Sequence, residues 1–83
     1  MLTNRYGIVN ESIKFIRSRV SINEALGELE WLQARALTPQ EYTAAATATK
    51  RTTTAKPEDL EKVFSEYEKT KIKRGVVDLG DLL

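Results

Sequence analysis

Carboxylates and amino groups are the reactive side chains that this chain offers in number. Glu28 with Glu30, Glu58 with Asp59, and Glu66 with Glu68 form close acidic pairs, the side-chain type that does general acid–base work or holds Mg²⁺ when two of them converge. Each pair falls on the polar face of an expected helix, where a solvated surface is the expected role. The cations fall into two groups, Lys50, Arg51 and Lys56 among threonines, and Lys69, Lys71, Lys73 and Arg74 near a helix end. Cationic loops flanked by hydroxyls suit phosphate contacts that carry no sequence information. The second group complements a helix C-terminus and supplies another local basic footprint. The candidate nucleic-acid contacts are therefore Lys50, Arg51, Lys56, Lys71, Lys73 and Arg74.

Other chemistry is harder to place here. Histidine and cysteine are both absent, which removes the usual zinc ligands, any disulfide and the commonest general base near neutral pH. The glycines at positions 7, 27, 75 and 80 are isolated from one another, so the phosphate-cradling pattern G-x-x-x-x-G-K-[ST] does not occur. No catalytic, metal-binding or cofactor-binding residue is expected. With 13 basic and 12 acidic side chains the net charge is +1, so no whole-molecule field steers the chain onto nucleic acid or anionic lipid. No run approaches the roughly 18 apolar residues of a membrane span, and the first residues resemble neither a signal nor a transit peptide. A cytoplasmic, reduced setting without a membrane partner is the default expectation.

Eighty-three residues allow one domain, 1–83, whose single core supplies roughly 3 to 5 kcal/mol of net stability. From Ile8 to Arg19 the apolar residues Val9, Ile13, Phe15 and Ile16 keep a helical period, with Asn10 or Asn4 as the cap and cations toward the end. Ser21 and Glu24 then form a capping box ahead of a face made by Ile22, Ala25, Leu26, Leu29, Leu32 and Ala36. Gly27 inside that face points to a close helix crossing, and Trp31 beside it to a partly covered indole. At Thr38-Pro39-Gln40-Glu41 the chain stops and restarts with a second capping box, and an alanine-rich helix runs from Tyr42 to about Ala48. Taking these two helices as a helix-turn-helix leaves only Lys50 and Arg51 at the far end to meet DNA, which argues against groove recognition. Residues 49–56 are expected to be an exposed, mobile loop.

Pro57 opens the last full helix with Glu58, Asp59 and Glu61 in its first turn and cations in its last, a match to the macrodipole at both ends. Its buried stripe is Leu60, Val63, Phe64, Tyr67 and then Lys71 or Ile72. Gly75 suits a left-handed cap. After Val76 and Val77, Asp78 and Asp81 resemble a new helix start with Leu79, Leu82 and Leu83 as its first apolar positions. That start reaches barely one turn by Leu83, so the chain is expected to be a piece of something larger, with Leu82 and Leu83 poorly packed. The fold expected is all-α, a small open bundle of three to four helices with Leu26, Leu29, Leu32, Leu60, Val63, Phe64 and Tyr67 as core.

Two blocks of this pattern carry a family resemblance. Tyr67, Lys71, Arg74, Gly75, Val76, Val77, Asp78, Leu79, Asp81, Leu82 and Leu83 resemble the segment just upstream of the Walker B motif in UvrD/Rep/PcrA-type superfamily 1 DNA helicases. Leu26 to Tyr42, LGELEWLQARALTPQEY, is similar to that family's helix, polar turn and P-x-x-Y restart in an actinobacterial-like form. The match covers about residues 22–83; Leu79, where the family commonly has Phe, and Gly80 depart from it. The resemblance implies subdomain 1B, a helical insertion in the first RecA-like domain, beside the single-stranded DNA track and near the duplex junction. ATP and Mg²⁺ would belong to the parent's RecA-like cores, whose motifs are absent here, so no catalytic residue carries over. The function it implies is that of a non-catalytic accessory subdomain of an ATP-dependent 3′-to-5′ DNA helicase, with DNA and the rest of the parent chain as partners. A free-standing helical module that docks a partner protein is the alternative.

Overall fold

The structure, a computed structural model, describes residues 4–78 and Asp81. Among them the fold is all-α. Helices run over Arg5–Phe15 (α1), Ile22–Ala34 (α2), Tyr42–Ala48 (α3) and Pro57–Arg74 (α4), with a 3₁₀ turn at Pro39–Glu41 before α3. The expectations for Leu79, Gly80, Leu82 and Leu83 lie outside the described residues.

The longest helix is the spine. On α4, Leu60, Val63, Phe64 and Tyr67 repeat at three-to-four spacing and each is fully buried, so one stripe faces inward along most of the helix. Every other element packs against that stripe, and α1 and α2 also pack against each other. Ile8, Val9 and Ile13 come from α1, Ala25, Leu29 and Leu32 from α2, and Tyr42 and Ala46 from α3. Tyr42 meets Phe64 edge to face with ring centroids 5.1 Å apart. This T-shaped geometry suits the ring quadrupoles and contributes beyond area burial. The small side chains of the alanine-rich α3 are thus supplemented by one buried aromatic residue at its start.

Each helix ends in the same way. Arg17, Ala36, Lys50 and Gly75 adopt positive φ of 53–63°, and each terminus carries the paired 6→1 and 5→2 bonds of a Schellman motif. At α1 these are Ser18 N–H to the Ile13 carbonyl (2.9 Å) and Arg17 N–H to Lys14 (3.1 Å); at α2, Leu37 to Leu32 (3.2 Å) and Ala36 to Gln33 (3.0 Å). Arg51 to Ala46 (3.0 Å) and Lys50 to Thr47 (3.2 Å) close α3, and Val76 to Lys71 (3.0 Å) and Gly75 to Ile72 (3.1 Å) close α4. Such pairs satisfy carbonyls that the helix itself leaves open. Only Gly75 adopts this conformation without a Cβ penalty.

Several sequence expectations change. Ala36 leaves the buried face because it is the left-handed terminator of α2. Nothing approaches within 4 Å of a Cβ built on Gly27, so no close crossing occurs there. The Ser21 side chain makes no cap bond, whereas Asn4 caps α1 by accepting from the Tyr6 N–H at 2.8 Å. Glu41 does fulfil its role, accepting from the Thr38 N–H (2.8 Å) and hydroxyl (3.0 Å). Lys71, not Ile72, continues the buried stripe, and Phe15 and Ile72 are 75% and 79% exposed.

Phe64→Ala should cost about 3–5 kcal/mol, as much as the net stability of a domain this small, while Phe15→Ala should leave the melting temperature nearly unchanged. Thermal and urea unfolding followed by circular dichroism distinguishes the two; equal losses would refute this packing. In the same assay Ala36→Gly should stabilise by roughly 0.5–1 kcal/mol, because relief of left-handed strain exceeds the backbone entropy glycine adds.

Candidate nucleic-acid interface

Whether a cation can meet a ligand depends on what already holds it. Two buried carboxylates decide this for two of the six candidate residues. Asp78, fully buried, accepts a hydrogen bond from the Tyr67 hydroxyl and two from Gln33 Nε2, at 3.0 and 3.3 Å. Lys71 Nζ lies 3.3 Å from the same carboxylate and Arg5 Nε 3.9 Å. The Asp81 N–H donates to Asp78 Oδ1 (3.1 Å) while the Asp78 N–H donates to Asp81 Oδ2 (2.9 Å). That reciprocal pair is the cap anticipated from the Asp78–Asp81 spacing. Asp78 also has an interior role that its spacing does not show.

The second carboxylate is Glu28, 7% exposed on α2. It accepts from the Tyr42 hydroxyl (2.8 Å), from Arg51 Nε (2.8 Å) and from Arg51 Nη2 (2.6 Å). This is a two-pronged guanidinium–carboxylate pair, the stronger class of charged hydrogen bond. The Arg51 guanidinium also lies 4.5 Å from the centroid of the Trp31 ring, and Arg35 lies at the same distance from that ring. One turn earlier, Glu24 accepts from the backbone N–H groups of Thr54 (2.7 Å) and Ala55 (2.9 Å). The loop 49–56, expected to be mobile, is therefore tied to α2 through Glu24 and Glu28. The solvated-face expectation for Glu28 fails for the same reason.

The pKa directions follow this geometry. Burial alone would raise Asp78, but the hydrogen bonds from Tyr67 and Gln33 and the charge of Lys71 hold it below its usual 3.8. Arg51 holds Glu28 below its usual 4.5 against the opposing effect of burial, with help from Tyr42. Burial and the adjoining carboxylates push both phenols up, so Tyr42 and Tyr67 remain donors. For Lys71, burial works against the charge, yet the bonds to Asp81 and Glu68 more than compensate and its pKa is raised.

The six candidate cations are thus placed differently. Lys71 is 2% exposed, with its ammonium 2.8 Å from Asp81 and 3.0 Å from Glu68; its charge is spent inside the protein. Arg51 is half-buried on Glu28, and Arg74, though exposed, pairs with Glu11 on α1. Lys50, Lys56 and Lys73 are exposed and make no ion pair among the described residues.

Lys56 does not stand alone. It lines a groove of about 880 Å³ between the α1–α2 connection, the end of the 49–56 loop and α4. Arg17 and Arg19 stand on one wall and Lys62 and Lys69 on the other. Lys62 and Lys69 are seven residues apart on α4, hence on one face roughly 10 Å apart along the axis. That spacing was legible in the sequence; the opposing arginines, some forty residues away, were not. Among the described residues no helix is long and apolar enough to cross a membrane.

Comparison with known proteins gives one kind of match. The chain is 28% identical, over an 89-residue alignment, to proteins named ATP-dependent DNA helicase UvrD2 from Mycobacterium bovis and from Mycobacterium tuberculosis. That alignment takes in 100% of this chain and 13% of each relative, so the chain spans about an eighth of their length. No protein-family model and no solved structure matches it.

Both buried carboxylates have depressed pKa values, so they add stability that is present above the unfolded-state values and lost as pH falls through the folded ones. The melting temperature should hold from pH 7 to about 5 and drop below about 4.5, with Glu28→Gln showing a smaller drop than wild type. A melting temperature that is flat from pH 5 to 3 would contradict the paired carboxylates. Asp78→Ala, which takes the acceptor from Tyr67 and Gln33 and one of three carboxylates from Lys71, should cost about 3–5 kcal/mol and leave little native helix at 25 °C.

Proposed function

We propose that this chain is a non-catalytic accessory segment of an ATP-dependent DNA helicase or translocase, corresponding to subdomain 1B of a 3′-to-5′ enzyme. Its work is to contact DNA near the single-strand/duplex junction and to brace the ATPase core of its parent. The observation that carries this proposal is an alignment along the whole chain to one stretch of proteins named ATP-dependent DNA helicases, in a chain whose isolated glycines build no phosphate loop. No phosphate loop is built here, so ATP and Mg²⁺ would be held by the remainder of the parent.

The physical role suits the side chains. Exposed cations on a rigid helical body hold phosphates electrostatically, which fixes position on DNA without selecting sequence. A net charge of +1 limits such binding to the local footprint, so affinity should lie in the range of roughly 10⁻⁴–10⁻⁶ M and fall steeply with salt. The rigid part is equally useful: α4 and the Asp78 cluster set the direction in which the chain leaves the bundle. A protein-docking role is the second reading, favoured by Tyr6, Phe15, Ile72 and Val77, which are 39–79% exposed.

Fluorescence anisotropy with a labelled single-stranded oligonucleotide at low salt should show saturable binding that disappears by about 200 mM salt, and the isolated chain should hydrolyse no ATP. Absence of binding at hundreds of micromolar removes the DNA role. Robust ATP turnover removes the accessory one.

A further inference from the structure

We infer that the groove between the α1–α2 connection and α4 seats the phosphodiester backbone of single-stranded nucleic acid, with Phe15 as the face on which a base stacks. This inference rests on the proposed DNA role and locates it. The six cations singled out in the sequence do not form one surface, because Lys71 is enclosed and Arg51 and Arg74 are paired. The groove instead gathers Arg17, Arg19, Lys56, Lys62 and Lys69, all exposed and none within ion-pair distance of a carboxylate among the described residues.

That last point is informative, since four carboxylates line the same groove. Two of them are turned to backbone: Glu24 to the Thr54 and Ala55 N–H groups and Glu61 to the Thr43 N–H at 3.2 Å. The other two, Asp59 and Glu66, share the lining with the cations, which come from both walls. Their positions are also anchored. Arg17 is the left-handed residue of the Schellman turn that ends α1, Lys56 directly precedes α4, and Lys62 and Lys69 belong to its regular helix. The local charge is only slightly positive, which fits weak, salt-sensitive binding and not tight sequence recognition.

Size and an aromatic neighbour select the form of the ligand. A groove of about 880 Å³ lies in the range of ligand clefts, roughly 300–1,000 Å³, a volume that suits a short stretch of one strand. Phe15, 75% exposed, does not itself line the groove but immediately precedes a residue that does, Ile16. An aromatic face beside a cationic track is the combination that single-strand binders use, stacking a base while the charges follow the backbone.

The test is a charge-matched pair of variants of the whole chain. Arg17→Ala/Lys62→Ala/Lys69→Ala removes three groove cations; Lys14→Ala/Lys50→Ala/Lys73→Ala removes three others, including two candidates from the sequence. All six are exposed, and circular dichroism checks that both variants keep their helices. With a labelled oligothymidine, the groove variant should bind at least about 10-fold more weakly and lose about 2 from the log–log salt slope, at roughly 0.7 per phosphate contact. The control should change less than about threefold. Phe15→Ala should weaken binding at least about fivefold, the lower end for loss of one stacked base, without changing the slope. If both triple variants lose affinity equally, or the groove variant binds as wild type, the groove assignment falls while the DNA role stands. Duplex binding as tight as single-strand binding overturns the single-strand assignment. A wild-type chain that binds no oligonucleotide overturns the DNA role and the groove together.

Discussion

The Asp78 carboxylate is the point on which this small fold closes. It is reached by Arg5 from α1, Gln33 from α2, and Tyr67 and Lys71 from α4, so one buried charge gathers three helices. Removing an anion from water costs several kcal/mol unless hydrogen bonds and opposite charge replace the solvent, and here both do. The arrangement is directional as well as stabilising. After Gly75 the chain could leave α4 at many angles; the Asp78 network folds it back along the helix, and the reciprocal bonds with Asp81 set the next turn.

A second polar tie does for the α3–α4 loop what Asp78 does for the exit. Glu28 and Glu24 hold Arg51, Thr54 and Ala55 against α2, and the left-handed Lys50 is the residue that turns the chain toward them. Tyr42 links this tie to the aromatic centre by donating to Glu28 while meeting Phe64 edge on. The functional consequence is a sorting of cations. Arg51 and Lys71, which neutralise buried carboxylates, are withdrawn from the surface, and five of the other cations gather where the α1–α2 connection faces α4.

Much of the scaffold was legible in the chain, and the reasons are local. The stripe Leu60, Val63, Phe64 and Tyr67, the restart at Thr38-Pro39, and the stop at Gly75 depend on residues within one or two turns of each other. Ala36, Arg17 and Lys50 were not recognisable as helix terminators because no glycine marks them; the two-bond closure is visible only in the backbone. Glu24 read as a cap partner for Ser21 but bonds to residues thirty positions away, and nothing in its neighbourhood announces this. The candidate site fared worse for the same reason. Lys71 looks like any cation at a helix end until Asp78 and Asp81 fold over it, and the Arg17/Arg19 wall meets Lys62/Lys69 only through tertiary packing.

The central claim is that the polar interior decides which cations remain to meet a phosphate. Amide chemical-shift mapping of the chain during titration with a short single-stranded oligonucleotide tests it most directly. Perturbations should cluster at residues 15–20, at Lys56 and along Lys62 to Lys69, with Lys71 and the Asp78 cluster unmoved. Perturbations centred instead on Lys71 and Arg74, or spread evenly over every exposed cation, would contradict the account.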